Sequence, residues 1–135
     1  MQDLITPENC SQELLRAALD AAMMDVSINP KGFLVVQDSV KILVMHNEQN
    51  KDRVLLLAMF GFKDSVSELQ RLQAANRINT EFAYVRAYDD RQSLVLDWDI
   101  SIAGGIPPKT FVLAVKRFLS VPVVAIRKCA ADLLE

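Results

Sequence analysis

The chain has 135 residues, enough for one domain that buries about two thirds of its unfolded surface with no disulfide or metal to hold it. Hydrophobic residues make up 51% and charged residues 24%, the balance of a globular rather than a disordered chain, and a formal net charge of -2 leaves no basic footprint for nucleic acid. The longest apolar run, Val54 to Phe62, is too short to cross a bilayer, and the opening MQDLITPENC has neither the basic nor the apolar stretch of a secretory signal, so the expected location is the cytoplasm, with no membrane partner.

Thr6 followed by Pro7 predicts a helix N-cap with proline at the first helical position, where its missing N–H costs nothing. Leu15, Ala18, Leu19, Ala22 and Met23 recur at helical spacing, which carries that helix to about Met24. Asn29, Pro30, Lys31 and Gly32 end it and lead into a sheet. Phe33 to Gln37 and Val40 to His46 are β-rich runs split by Asp38 and Ser39, a hairpin pattern, and a polar loop from Asn47 to Asp52 follows. Val54 to Phe62 is apolar on both parities, as in a strand covered on both sides or placed at a subunit contact. Ser65 and Glu68 form a capping box for a second helix, which ends near Asn79.

Glu81 to Ile100 reads as two strands joined by a turn at Asp89, Asp90, Arg91 and Gln92. With Asp90 and Arg91 as a two-residue loop, Ala83 faces Trp98, Val85 faces Leu96 and Ala87 faces Leu94. These residues predict the core face, with Trp98 filling space beside the alanines. The other face collects Phe82, Tyr84, Arg86 and Tyr88 with Val95, Asp97 and Asp99, and places Arg86 diagonal to Asp97. That face reads either as a solvated sheet surface or as a subunit or partner contact, and Tyr84, Arg86, Tyr88 and Asp97 are its candidate residues. Gly104 and Gly105 then form a loop, Pro107 and Pro108 open a helix, and Pro122 kinks or restarts that helix near Ser120 before it runs on to about Leu134.

Chemistry for catalysis is sparse. His46 is the single histidine, with no second His or Cys at ligand spacing. Asp89 and Asp90 are turn formers, whereas Asp97 and Asp99 solvate a strand or pair with Arg86. Gly104 and Gly105 lack the Lys-Ser/Thr pair of a phosphate-binding loop, and Cys10 and Cys129 read as buried thiols. No catalytic, metal or cofactor site is expected, and the chain is not read as an enzyme.

The segment RLQAANRINTEFAYVRAYDDRQSLVLDWDISIAGGIPPKTFVLAVKRF resembles the second half of the YbjN family, described as bacterial sensory transduction regulators. The likeness rests on paired asparagines near a helix end (Asn76 and Asn79), a strand, an acidic turn, a second strand ending in an acidic and apolar pattern (Asp97 to Ile100), then glycine and a long helix. Gln92 and Ser93 stand where many relatives place glycine. The resemblance implies a fold similar to type III secretion chaperones and no established activity. The expected architecture is α+β, a mainly antiparallel five-stranded sheet in the order α-β-β-β-α-β-β-α within one domain. The expected function is a homodimeric, non-enzymatic protein-binding regulator or chaperone-like adaptor. The alternative is a small-ligand sensor or enzyme using the acidic strand face and His46.

Overall fold

The computed structural model describes residues 3–135. They form the α+β architecture expected, with a single antiparallel sheet, but with six strands rather than five and four helices rather than three. The order is α1 (Gln12–Ala21), β1 (Asp25–Ile28), β2 (Leu34–Gln37), β3 (Lys41–Asn47), β4 (Asn50–Gly61), α2 (Glu68–Glu81), β5 (Arg86–Asp89), β6 (Ser93–Ser101), α3 (Pro108–Leu119) and α4 (Val121–Cys129). Across the sheet the strands run β1-β2-β3-β4-β6-β5, every neighbouring pair antiparallel.

The extra strand comes from an early helix end. Met23 adopts a left-handed φ of 61°, which ends α1 at Ala21 and leaves three residues before β1 begins. The helix also starts later than expected, because Thr6 and Asn9 bond each other reciprocally, side chain to main-chain N–H, and hold a turn around Pro7. Ser11 is the N-cap, its hydroxyl accepting from the N–H of Leu14. In α2 the capping box is formed by Ser67 and Gln70, two residues beyond the expected Ser65 and Glu68. Val66, buried just before the cap, bonds back to Lys63 and sets that start. Pro108 opens α3 as expected, and Ser120 joins it to a restarted α4 with Pro122 in its first turn.

Period-two alternation divides the sheet into two unlike faces. Leu34, Val36, Ile42, Val44, Val54, Leu56, Ala58, Ala87, Leu94 and Leu96 turn to one side and join Leu15, Leu19, Phe111, Val115 and Phe118 of the helices in one core. The hairpin's faces are therefore as expected for Ala87, Leu94 and Leu96, although its register is displaced by two residues, with Ala87 opposite Leu96 and Asp89 opposite Leu94. An even displacement keeps every side chain on its own face. It arises because the loop is longer than two residues, with Arg91 at φ 59° and Asp90 N–H donating to the Ser93 carbonyl.

Trp98 departs from expectation. It is 37% exposed, because β5 begins at Arg86 and leaves no strand residue opposite it.

The β5 edge is closed by a side chain. Asn79 of α2 donates from Nδ2 to the Ala87 carbonyl (2.9 Å) and accepts the Ala87 N–H on Oδ1 (2.8 Å), the two bonds a further strand would make. Arg71 of the same helix bonds Asp89 at 3.0 Å. Replacing Asn79 by Ala leaves both Ala87 groups without a protein partner and is expected to cost about 1–3 kcal/mol in urea denaturation. A change under about 0.5 kcal/mol would mean that the clamp contributes nothing.

Candidate interaction surfaces

The face turned away from the helices has no covering layer among the described residues. Val35, Leu43, Met45, Leu55, Leu57, Met59 and Val95 lie along it on β2, β3, β4 and β6, in register Val35 opposite Leu43, Leu43 opposite Leu57, Met45 opposite Leu55 and Met59 opposite Val95. Val35 and Val95 are shielded by their neighbours, whereas Met59 is 56% exposed. Gln37, Lys41, Arg53, Arg86, Tyr88 and Asp99 surround this apolar centre with polar groups. An apolar middle inside a polar rim is an arrangement that protein interfaces in general share.

Arg86 and Asp97 anchor one side of it. They stand directly opposite each other rather than diagonally, and the guanidinium grips the carboxylate through two bonds of 2.9 and 2.6 Å. The Asp97 side chain is 4% exposed and that of Arg86 68%, so a buried carboxylate is reached from solvent by an arginine that roofs it. The bond to Asp97 holds the Arg86 guanidinium above its ordinary pKa. Arg86 also lies 5.4 Å from the centre of the Tyr88 ring, and burial raises the Tyr88 hydroxyl, with the Asp97 charge adding to it.

Tyr84 does not share this face. Its φ of 60° breaks the alternation before β5 starts and turns the ring to the helix side, edge-on to Trp98 at 5.7 Å. Arg117 of α3 stacks over it at 4.0 Å. Of the four residues chosen from sequence, Arg86, Tyr88 and Asp97 come together and Tyr84 stands apart. Sequence reasoning missed Leu43, Met45 and Met59, whose signal was present in the dual-parity apolar run of β4 and in the β3 register.

The strand carboxylates Asp89, Asp97 and Asp99 do not converge on a common site. Asp89 pairs with Arg71, Asp97 with Arg86 and Asp99 with Arg53 at 3.1 Å, each carboxylate with its own arginine. His46 falls on the opposite side of the sheet from Asp97 and Asp99, by its place in β3 beside the core residue Val44. Its Nε2 lies 3.1 Å from the Lys51 carbonyl across its own hairpin, in a broad cleft of about 880 Å³ beside the start of α1. Among the described residues no group of three or more His, Cys, Asp or Glu side chains could hold a metal ion.

Two measurements check this geometry. Arg86→Ala strands the buried Asp97 carboxylate and is expected to lower stability by about 1–3 kcal/mol, whereas Arg53→Ala, at an exposed pair, changes it by under about 1 kcal/mol. Equal effects would contradict the burial of Asp97. Cys10 provides the second, since burial pushes its thiol up to about 11 and depletes the reactive thiolate at lower pH. At pH 8 iodoacetamide should label Cys10 roughly tenfold more slowly in the folded chain than in urea, the gap closing as pH rises toward that value.

The sequence profile of the YbjN family, with the description "Putative bacterial sensory transduction regulator", matches residues 11–125. Among curated proteins none matches the sequence. The solved structures that resemble this chain include the following three. YbjN from E. coli superposes with a TM-score of 0.75 at 21% identity, over 93% of this chain and 96% of that one. An uncharacterized protein from Methanothermobacter thermautotrophicus gives 0.63 at 13% identity, over 89% and 96%. The Yersinia pestis type III secretion chaperone SycH, in complex with a stable fragment of YscM2, gives 0.45 at 14% identity, over 81% and 97%. The profile match runs from the N-cap of α1 to the middle of α4, through every strand of the sheet, and the chain belongs to the YbjN family.

Proposed function

We propose that the protein is a non-enzymatic, protein-binding regulator or chaperone-like adaptor of the bacterial cytoplasm, and that it works as a homodimer joined through the open sheet face. The observation that carries this reading is the apolar centre of that face, Leu43, Leu55, Leu57 and Met59, left without a covering layer among the described residues while the opposite face is packed by helices. Six strands about 4.8 Å apart and roughly 23 Å long make a face on the order of 700 Å² in plan, close to the ~800 Å² per partner of a stable association. Arg86–Asp97 and Arg53–Asp99 neutralise each other within the chain, so a second copy meets a rim with no excess of either sign from these pairs. The family description supports a regulatory role.

Two observations weigh against the alternative of a ligand sensor or enzyme on the acidic strand face. Asp97 and Asp99 are held by arginines, and His46 lies across the sheet from both. A base requires a free acceptor within reach of its substrate.

Met59→Glu is the test, because a residue already 56% exposed can take a charge without disturbing the monomer fold. Sedimentation of the unchanged chain is expected to give a dimer, and the variant to weaken dimerisation at least about tenfold. A monomer mass at every concentration would overturn the dimer. Affinity purification with the unchanged chain from its source cell, followed by mass spectrometry, is expected to recover a protein partner; recovery of none would count against the regulator reading.

A further inference from the structure

On its outer side β6 is paired for only part of its length. Its partners on β5 run from Arg86 opposite Asp97 to Asp89 opposite Leu94, yet β6 continues to Ser101. The hydrogen-bonding parity is readable from the ladder. Ile102 donates to the Asp52 carbonyl and Phe62 to the Gln92 carbonyl, which turns the main chain of even-numbered β6 residues toward β4 and that of odd-numbered ones outward. The bond from Asp90 to the Ser93 carbonyl, on the β5 side, has the same parity. Asp99 and Ser101 therefore direct N–H and C=O groups into the lane ahead of β5, and among the described residues no backbone or side-chain partner meets them there. The left-handed turn at Tyr84 is what takes the chain out of that lane.

The lane is also a groove. A cavity of about 300 Å³ lies between the end of β6 and α3, lined mainly by apolar surface of Tyr84, Trp98, Ile100, Leu113, Ala114 and Phe118. Three of these are large, exposed side chains gathered in one place: Tyr84 at 46%, Trp98 at 37% and Leu113 at 55%. A volume of that size takes one or two bulky side chains and falls at the low end for a small-molecule site.

From the two features together we infer that this lane receives an extended segment of a partner protein, which continues the line of β5 by pairing with the main chain of Asp99 and Ser101. The side chain opposite Ile100 enters the groove under α3, and the one opposite Asp99 points to the open face near Arg53. The segment's chemistry follows from this: an extended strand with large apolar residues alternating with polar ones, main-chain bonds supplying affinity and the groove supplying choice. On the outer edge of β5 the clamp by Asn79 leaves Ala87 nothing to offer such a segment. This proposal rests on the protein-binding reading but not on the dimer.

The probe is a phage-displayed library of random peptides selected on the full chain. Selected peptides are expected to show the apolar-polar alternation, and a synthetic copy to slow amide hydrogen exchange at Asp99 and Ser101, both fast in the free chain, by at least about tenfold. Ser101→Pro removes one outward N–H without touching the β4 ladder, and Leu113→Glu charges the groove. Each should weaken the peptide at least about tenfold, while Leu69→Glu on remote α2 leaves it unchanged. Circular dichroism matching the unchanged chain is required of each variant, and if one misfolds, exchange in the unchanged chain decides. Slow exchange at Asp99 and Ser101 without peptide would overturn the proposal. Slowing that grows with protein concentration alone would give the lane to a second copy. Peptides that protect amides elsewhere, or fail to enrich, would overturn it too, the former leaving protein binding itself intact.

Discussion

The constraint on which the structure depends is the ladder between β4 and β6, which pairs Arg53 through Gly61 with Ser101 through Ser93. It joins the amino-terminal strands to the carboxyl-terminal pair across the whole of α2 in sequence, so it is the long-range contact that makes one sheet of a four-stranded meander and a hairpin. Its register decides sidedness everywhere. Leu56 opposite Trp98, Ala58 opposite Leu96 and Phe60 opposite Leu94 give one face to the helices, and Leu57 opposite Asp97 and Met59 opposite Val95 give the other to solvent. A slip of one residue would drive Asp97 and Asp99 into the helix-packed core and part Asp99 from Arg53, which stays on β4, while Arg86 would be carried in with Asp97 on the paired β5.

What could be read in advance follows from how local each signal is. Ala87, Leu94 and Leu96 were assignable to the core because alternation survives an error of two in register, and Val54 to Phe62, apolar on both parities, left open a strand covered on both sides or one at a subunit contact. β1 was missed although Val26 and Ile28 alternate with Asp25 and Ser27 and stand opposite the core residues Val36 and Leu34: four residues are a short signal, and helical spacing carried through Met23 ran up to them. The start of α2 was ambiguous in principle: Ser65 with Glu68 and Ser67 with Gln70 are equivalent patterns, and tertiary burial of Val66 selects the second. The dispersal of Tyr84 from its expected face depends on a left-handed backbone at a bulky residue, a conformation no residue-type preference foretells. Trp98 followed from it, because a strand that starts at Arg86 has nothing to lay over the indole.

The helices contribute unequally. α1 and α3 cover the sheet with Leu15, Leu19, Phe111 and Phe118, all essentially inaccessible, whereas α2 presents Leu69 and Leu72 to solvent and buries only Ala74, Ala75 and Ile78. It is tied in by specific polar contacts instead: Asn79 to Ala87, Arg71 to Asp89, and Glu81 to Lys128 of α4 at 3.5 Å. Hydrogen bonds need defined geometry where apolar packing tolerates drift, so α2 is positioned more by direction than by buried area.

That manner of attachment makes α2 and β5 a single opening unit. When α2 frays from its carboxyl-terminal end, Asn79 lets go of Ala87, and the same event that melts a helix bares a strand edge. An edge bared in this way is a template for pairing between molecules, and its four residues include the bulky Tyr88. The amide of one asparagine thus acts as a guard against edge-to-edge self-association, in force only while the helix that carries it stays folded.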